Sequence, residues 1–413
     1  MNLFDTAILD NGIKLITRKN PNTPRIAICM FIGSGFGKEK YAGEAELTGK
    51  LLLQGTKTRN AEELAMELES NAIELNVDIK HDYIKIRALC LNEDFDKTVD
   101  LLADIVNNST FESFDKTASL FKGEIGVELD SPKAKAADNL IKNIYPAHPY
   151  GNSLTRILED MPKLNKDKVK DYYLSSLSSD INIVTIGNID KERVYNAFHN
   201  KFESINRNER KLEFIKPSEL KQSNTVTIAK NDAAQAQIYQ GWIVPDLSHK
   251  DSITLTLLNV ILGSSGLSSR LFVELRDKKG LAYTVRSTYE PFMNSGIFTV
   301  YIGTAPVNIE TAIEGFNIEI KKLQEVLVSD KELEDAKNNY LGKRSFFHET
   351  NMQQAHYLGF YDIAGLGADY DRKIPEKVEK INSNDIREAA NIYLSNDFVI
   401  SLLAPEQYLQ LHK

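Results

Sequence analysis

Residues 266–285, GLSSRLFVELRDKKGLAYTV, hold a pattern that the chain carries twice. Three residues of this stretch recur 207 positions earlier in the same order, with Leu271, Glu274 and Leu275 matching Leu64, Glu67 and Leu68. A second set recurs at an offset of 217 residues, with Lys163, Leu164 and Asn165 matching Lys380, Ile381 and Asn382. Matches in the same order along both halves indicate an internal duplication, which predicts two lobes of one architecture.

Both halves mix strand patterns with helix patterns. Short runs rich in β-branched or aromatic residues, bounded by Gly, Pro or Asn, predict strands at 25–32, 181–187, 236–243 and 297–303. Apolar residues at helical spacing over 311–327, and again at Val99, Leu102 and Val106, predict helices with one face on a sheet. We therefore predict an α+β fold of two duplicated lobes, each a mixed or antiparallel sheet covered by helices.

A change in composition predicts the boundary between the lobes. Residues 206–222, NRNERKLEFIKPSELKQ, are highly charged and contain a proline, which is typical of a solvated interdomain linker. The predicted domains are an N-terminal lobe at 1–205 and a C-terminal lobe at 223–413. The ten-residue difference between the two offsets predicts an enlarged loop in the second half, at residues 291–296.

Composition limits the classes of function. Hydrophobic residues make up 42% and charged residues 26% of the 413 residues, as in soluble globular chains, and the net charge of -8 argues against a dominant nucleic-acid-binding surface. Cys29 and Cys90 are the only cysteines, so a CxxC site is excluded and free thiols are expected. The sequence shows no signal-peptide pattern and no apolar run of about 18 residues, which favours a cytoplasmic location.

Several common catalytic motifs are absent from the sequence. No GxSxG is present, so a hydrolase nucleophile elbow is unsupported. The stretch 42–51, AGEAELTGKL, differs from a phosphate loop because five residues separate Gly43 from Gly49 and Leu51 replaces the Ser or Thr that binds magnesium. None of the seven histidines has another histidine four residues away, so no helix presents a zinc-binding His pair at that spacing.

Four segments, in their order along the chain, resemble a known family: GSGFGKEKYAGEAELTGKLLLQGT (33–56), GEIGVELDSP (123–132), AHPYG (147–151) and GLSSRLFVELRDKKGLAYTV (266–285). Together they resemble the pitrilysin/insulinase-type zinc peptidases, the inverzincins, and in particular their half-length bacterial and mitochondrial-processing-peptidase-like subunits. The similarity extends over nearly the whole chain. Its most specific part is an arginine and a tyrosine separated by six residues, here Arg276 and Tyr283.

In this chain the residues at the family's zinc-site positions differ from the family's motif. In the family a helix with the inverted motif H-x-x-E-H binds zinc through its histidines and activates water through its glutamate. The matching positions here are Glu46, Gly49 and Lys50, while Glu124 matches the distant glutamate ligand. A lysine ammonium repels a dication, and glycine cannot accept a proton from water. The resemblance therefore predicts no zinc and no general base in this chain.

Two interpretations of the altered zinc site stay open. Lys50 can pair with Glu46 or Glu124 as a salt bridge, which we favour, or Glu46, Glu124 and Glu128 can hold another metal through their carboxylates.

Other family positions are retained. The resemblance implies that Arg276 and Tyr283 contact the substrate backbone near the scissile bond and support the oxyanion, acting in cis or on a partner's site. Asn76 matches an asparagine beside the family's substrate-binding edge strand, although the following residues 77–80 differ from the usual small and hydroxyl residues.

The predicted function is a noncatalytic, substrate-binding subunit of a heterodimeric zinc peptidase. A partner of similar size with H-x-x-E-H would carry the zinc, and this chain would supply Arg276 and Tyr283 for cleavage of a peptide or unfolded polypeptide. Alone, the chain is expected to be inactive and to have no cofactor. The alternative is a structural or peptide-binding pseudopeptidase that self-associates, as the core subunits of the family do. An active hydrolase with an unusual metal at Glu46 and Glu124 is a third alternative.

Overall fold

Groups of strands and groups of helices follow one another in a similar order along both halves of the chain, although among the described residues the strand Asp5–Ile8 and the helix Lys191–Phe202 belong to the first half alone. The computed structural model describes residues 4–203, 205 and 217–410, so most of the predicted 206–222 linker lies outside the described residues. The strands of the described part are β1 (Asp5–Ile8), β2 (Lys14–Lys19), β3 (Arg25–Ile32), β4 (Glu74–Ile79), β5 (Ile84–Leu91), β6 (Ile181–Gly187), β7 (Asn224–Ala229), β8 (Ala236–Val244), β9 (Ala282–Pro291), β10 (Gly296–Thr304) and β11 (Val399–Ala404). All four predicted strands are confirmed, as β3, β6, β8 and β10.

The α-helices of the described part are α1 (Glu44–Leu51), α2 (Ala61–Ser70), α3 (Phe95–Asn108), α4 (Phe114–Asp130), α5 (Pro132–Ile144), α6 (Leu154–Asp160), α7 (Lys166–Ser176), α8 (Lys191–Phe202), α9 (Ser252–Asn259), α10 (Ile309–Glu325), α11 (Asp330–Phe346), α12 (Asn351–Ile363), α13 (Tyr370–Lys380) and α14 (Ser383–Tyr393). Two π-helices follow α9, at Val260–Ser264 and Phe272–Lys278. The predicted apolar stripes lie on α3 and α10, whose apolar faces are buried, but the predicted range 311–327 runs past the end of α10 and its last residue, Leu327, is exposed. None of the helices in this part combines the length and apolar character needed to cross a membrane.

Two sheets with matching strand orders confirm the predicted duplicated α+β fold. The first sheet has the order β1-β2-β6-β3-β5-β4, and the second has the order β7-β11-β8-β10-β9. In each sheet one pair is parallel, β2 with β6 and β7 with β11, and the other pairs are antiparallel. The second sheet therefore repeats the first without the extra edge strand β1.

The repeated asparagines have the same structural role in both halves. Asn165 is the N-cap of α7, and its side chain accepts a hydrogen bond from the Lys168 amide at 2.9 Å. Asn382 is the N-cap of α14 and accepts from the Asn384 amide at 2.8 Å. An asparagine is favoured at this position because its side chain satisfies an amide that has no partner within the helix. Each of these helices leads into the strand that forms the parallel pair.

The predicted enlarged loop at 291–296 is wrong. The β4–β5 connection is 80–83 and the β9–β10 connection is 292–295, so the two turns have equal length. The increase in the sequence offset between the halves comes instead from longer strands and helices in the second half. β9 has 10 residues where β4 has 6, and α10 has 17 where α3 has 14.

The chain forms two compact units, and each takes a segment from the other half of the sequence. The first unit contains the described residues of 1–123, 157–215 and 345–372, and the second those of 124–156, 216–344 and 373–413. In the first unit α12 packs on β3 and β6, and in the second α5 packs on β8 and β11. The predicted domain boundaries at 205 and 223 stay a prediction, because most of the linker is not described.

In each unit a side chain of the sheet donates a hydrogen bond to a backbone carbonyl of the helix that comes from the other half of the sequence, α12 in the first unit and α5 in the second. The Asn182 amide on β6 donates to the Gly359 carbonyl of α12 at 3.1 Å, and the Ser401 hydroxyl on β11 donates to the Ala136 carbonyl of α5 at 2.7 Å. Both sheet residues are buried, so these bonds satisfy polar groups that water does not reach.

Candidate functional site

Helix α1, which carries the altered zinc-site positions, is held at its start by two buried carboxylates. The Glu39 side chain accepts from the Ala45 amide at 2.6 Å and from the Gly43 amide at 3.3 Å. Glu44 accepts from the Lys40 amide at 2.9 Å, and its burial raises the pKa of its carboxyl. Acidic groups are favoured beside the first turn because the amides there have no partner in the helix and the helix dipole is positive there.

The space next to Gly49 is filled by side chains from β4. A Cβ atom at position 49 would lie 2.9 Å from Ile79 Cγ1 and 3.6 Å from Val77 Cγ1. The position that carries the general base in the related motif therefore has no room for a side chain unless Ile79 moves. Sequence reasoning noted that residues 77–80 were unusual but did not connect them with the glycine opposite.

Lys50 lies over an aromatic ring. Its Nζ atom is 4.8 Å from the centroid of the Phe121 ring, a cation–π distance. Glu46 is half-buried on α1, and Glu124 is exposed on α4. The predicted ion pair of Lys50 with Glu46 or Glu124 stays a prediction. With lysine and glycine at two of the three motif positions, the residues present on α1 do not fit zinc.

Asn76 lies on β4, which is an edge strand of the first sheet. Lys80 N–H donates to the Tyr83 carbonyl at 2.9 Å. Because bonded residues alternate along an antiparallel pair, the backbone groups of Leu75, Val77 and Ile79 point away from β5. The edge can therefore offer hydrogen bonds to an extended chain laid beside it.

The side chain of Asn76 is exposed and faces a polar cleft of about 730 Å³ within the first unit. Its lining includes Asn20, Arg25, Glu74, Arg87 and Asn351. Asp78 Oδ2 lies 3.2 Å from the Lys85 ammonium and 3.3 Å from Arg87 Nε, so these two cations are paired with a carboxylate. Sequence reasoning found Asn76 but missed the cleft, since its other residues come from distant parts of the chain.

The second unit brings Arg276 and Tyr283 together. Arg276 extends from the π-helix Phe272–Lys278, and Tyr283 lies on the edge strand β9. The Arg276 guanidinium carbon is 4.8 Å from the Tyr283 ring centroid, and Arg276 Nη1 donates to the Tyr283 carbonyl at 2.8 Å. The same guanidinium carbon also lies 4.5 Å from the Phe272 ring centroid. The pair is therefore assembled before any substrate is present.

The phenol of Tyr283 is presented to the exterior of the second unit. Its side chain is 79% exposed, and its hydroxyl makes no hydrogen bond with the described residues. A held guanidinium beside an accessible phenol can donate hydrogen bonds to carbonyl oxygens of a bound peptide. Sequence reasoning found this pair but missed Phe272, although its position four residues before Arg276 places both on one helical face.

A separate surface group could hold a metal ion. Ligand atoms of Asp10, His199 and Glu203 lie within 4.8 Å of one another in the first unit. Asp10 and Glu203 are exposed, and no second feature of the described residues points to an ion there. Sequence reasoning treated His199 as an isolated histidine, because its neighbours include an aspartate far away in the sequence.

Two family models match consecutive parts of the chain. The model described as "Insulinase (Peptidase family M16)" matches residues 14–156, and the model described as "Peptidase M16 inactive domain" matches residues 163–340. The first match contains α1 and β4, and the second contains the π-helix with Arg276 and the strand with Tyr283.

Relatives of similar length support the same assignment. A protein of Rickettsia bellii is 26% identical over 97% of this chain and 98% of its own length. A protein of Bacillus subtilis is 26% identical over 96% of this chain and 97% of its own length. Both bear the description "uncharacterized zinc protease".

Solved structures show the same fold. A structure from Pseudomonas fluorescens described as "peptidase M16 inactive domain" superposes with a TM-score of 0.88 at 20% identity and covers 97% of this chain and 98% of its own. A structure described as "a protease from Helicobacter pylori" superposes with a TM-score of 0.89 at 19% identity and covers 97% and 99%.

Proposed function

The chain belongs to the M16 insulinase-type peptidase family, and from this premise we propose that it is the noncatalytic, substrate-binding subunit of a two-chain zinc peptidase. The partner in this proposal is a chain of similar size that carries H-x-x-E-H and therefore the zinc and the water-activating glutamate. This chain contributes Arg276 and Tyr283 to the cleavage of a peptide held by the pair.

The observation that carries the proposal is the packing at Gly49. A zinc peptidase of this type needs a carboxylate where this chain places Ile79 and Val77 against a glycine. With Lys50 in a ligand position as well, the helix lacks both the base and a complete ligand set. The metal chemistry must then come from another chain if this one takes part in proteolysis.

The preassembled Arg276–Tyr283 pair supports a positive role in the reaction. The two ring contacts and the hydrogen bond to the Tyr283 carbonyl restrict the Arg276 side chain, so little side-chain entropy is lost when it binds a substrate carbonyl. The Tyr283 hydroxyl can donate to the oxygen that becomes negative in the tetrahedral intermediate. Both groups act without proton transfer, which suits a subunit that supplies no general base.

Asn76 is the proposed contact of the first unit with the peptide. Its carboxamide can bond to the backbone of a peptide that lies along the free edge of β4, next to the polar cleft. This contact positions substrate and takes no part in the chemistry.

The test begins with tag-free chain purified from its native cell under mild salt. Any partner of comparable mass is identified by mass spectrometry, and a quenched peptide is assayed with this chain alone, with the partner, and with a chelator. We expect cleavage only by the pair, loss of cleavage with the chelator, and no stoichiometric zinc in this chain by elemental analysis. A His199→Ala control removes any zinc bound at the surface group of Asp10, His199 and Glu203.

Two results would overturn the proposal. Zinc that stays at one equivalent in the His199→Ala chain, with cleavage by this chain alone, would make it a peptidase in its own right. Self-association without cleavage in any combination would instead support the structural pseudopeptidase.

A further inference from the structure

A cluster of two tyrosines and two cations lies on the second sheet, on the face that also carries α5. The tyrosine shelf, defined here as Tyr239, Tyr301, Lys133 and Arg286, belongs entirely to the second unit. The two buried tyrosine rings have centroids 4.5 Å apart, and the Tyr301 hydroxyl donates to the side-chain Oε1 of Gln237 at 2.7 Å. Lys133 Nζ lies 4.9 Å and the Arg286 guanidinium carbon 6.0 Å from the Tyr301 ring centroid.

The two cations of the shelf lack a carboxylate partner within the described residues. Neither Lys133 nor Arg286 forms a salt bridge there, and the like charge of Arg286 adds to the effect of burial in lowering the pKa of Lys133. Lys133 also lies in the first turn of α5, which contains no acidic residue. Because the helix dipole is positive at that end, a lysine there is unfavourable unless an anion is close.

The duplicated fold does not require these residues. Strand pairing places Arg286 opposite Tyr301 and Tyr301 opposite Tyr239 in the second sheet. At the corresponding place in the first sheet Glu74 pairs with Leu89, and Leu89 with Ala27. The first unit there has a cleft with Glu74 in its lining and two nearby cations paired with Asp78. The described part of the second unit has two buried tyrosine rings instead, beside two cations that have no carboxylate partner there.

We propose that the tyrosine shelf binds a carboxylate of the peptide substrate, with Arg286 and Lys133 as its two donors. Arginine presents two parallel N–H groups that match the two oxygens of a carboxylate, and the lysine adds a third donor. Two cations around one ring suit a single carboxylate group, and the chain's net charge of -8 disfavours an extended polyanion. The proposal rests on the substrate-binding role above and specifies the class of peptide: one with an acidic side chain or a free C-terminal carboxylate.

Binding is measured on the whole chain without a partner, by fluorescence anisotropy of labelled eight-residue peptides. One peptide carries a central Glu and an amidated C-terminus, the second carries Gln in its place, and the third carries Gln with a free C-terminal carboxylate. The variant is Lys133→Gln with Arg286→Gln. The matched control is Lys250→Gln with Lys321→Gln, which removes the same charge from exposed sites of the second unit.

We expect the chain to bind a carboxylate-bearing peptide about tenfold more tightly than the amidated Gln peptide, because charge-assisted hydrogen bonds to two cations are lost with the carboxylate. Preference for the Glu peptide would identify a side chain as the ligand, and preference for the free-acid peptide would identify the C-terminus. The shelf variant should lose this preference and the control should keep it.

Equal affinities for the three peptides, including no measurable binding of any, would overturn the proposal. So would a preference that the shelf variant keeps, or one that the control loses equally. Because no partner and no cleavage enter this measurement, its failure is separate from failure of the proposed function, which is read from the activity of the pair.

Discussion

The edge strands β4 and β9 occupy the same place in two copies of one sheet, yet their surroundings differ. On β4, Val77 and Ile79 fill the space beside Gly49 of α1. On β9, Tyr283 stacks on Arg276 from the preceding π-helix and faces the exterior of its unit. One copy has closed the place where the chemistry of the family would be, and the other has kept polar groups assembled. Under the proposed function, the first copy has lost the chemical part of the reaction and the second has kept the part that contacts the substrate.

The largest expected effect is on the retained side of this comparison. Arg276→Ala should lower kcat/KM of the reconstituted pair by about 100-fold, because a donor to the transition state is lost. Tyr283→Phe removes only the hydroxyl and should act in the same direction. Steady-state kinetics of the pair measure both, with Arg387→Ala as a control on α14 of the same unit. Unchanged kinetics for both variants would mean that the difference between the two edge strands has no role in the reaction.

A second, smaller effect tests the closed side. Gly49→Glu should lower the free energy of unfolding by about 2 kcal/mol, because the new side chain overlaps Ile79 and buries a charge. Urea unfolding measures the change. The matched control is Gly123→Glu on α4, where a Cβ meets no atom within 4 Å and glutamate is the better helix former.

A double variant ties this effect to the contact itself. Adding Ile79→Ala to Gly49→Glu should cost less than the sum of the single changes, because the neighbours couple through shared space. If Gly49→Glu unfolds at the same urea concentration as Gly123→Glu, the side chains of β4 do not fill the space beside position 49.

The smallest effect concerns pH and the first unit. Burial between aromatic rings lowers the pKa of His356 to about 4, so the folded chain keeps this imidazole neutral. In the unfolded chain this histidine has its ordinary pKa of about 6.5, so as the pH falls the unfolded chain is protonated before the folded one. The residue's contribution to stability is therefore present above pH 6.5 and is lost towards pH 4. Between pH 7 and pH 6 we expect a loss of about 0.7 kcal/mol from this residue, measured by urea unfolding at both values.

His356→Phe separates this effect from general acid sensitivity. The variant keeps an aromatic ring against Phe31 and Phe360 and removes the titration, so its stability should fall less between the two pH values. His81, also in the first unit, has its pKa lowered by burial to about 3 and accounts for part of the remaining loss. An unchanged pH dependence in His356→Phe would contradict the assignment.

Sequence reasoning succeeded where the signal is local. Each strand predicted from a short β-branched run lies within one element, and the repeat of Asn165 at Asn382 is visible in the sequence alone. It did not find the Ile79 contact with Gly49, the cleft next to Asn76 or the tyrosine shelf. These depend on which strands pair and which helix packs on which sheet, and an apolar stripe on a helix does not specify the sheet that covers it.

Because α12 packs in the first unit and α5 in the second, the first sheet depends on a helix that is synthesised much later. A ribosome delivers the strands of the first sheet by residue 187, but the helix that packs on β3 and β6 begins only at Asn351. During that interval Phe31 and other apolar side chains of this face have no helix over them, and exposed apolar surface on a nascent chain favours aggregation or chaperone binding. A chain cut near its midpoint would likewise give two fragments that each lack a covering helix. Each half of the sequence repeats the same sheet, yet the first sheet cannot be covered by its helix until α12 of the second half has been synthesised.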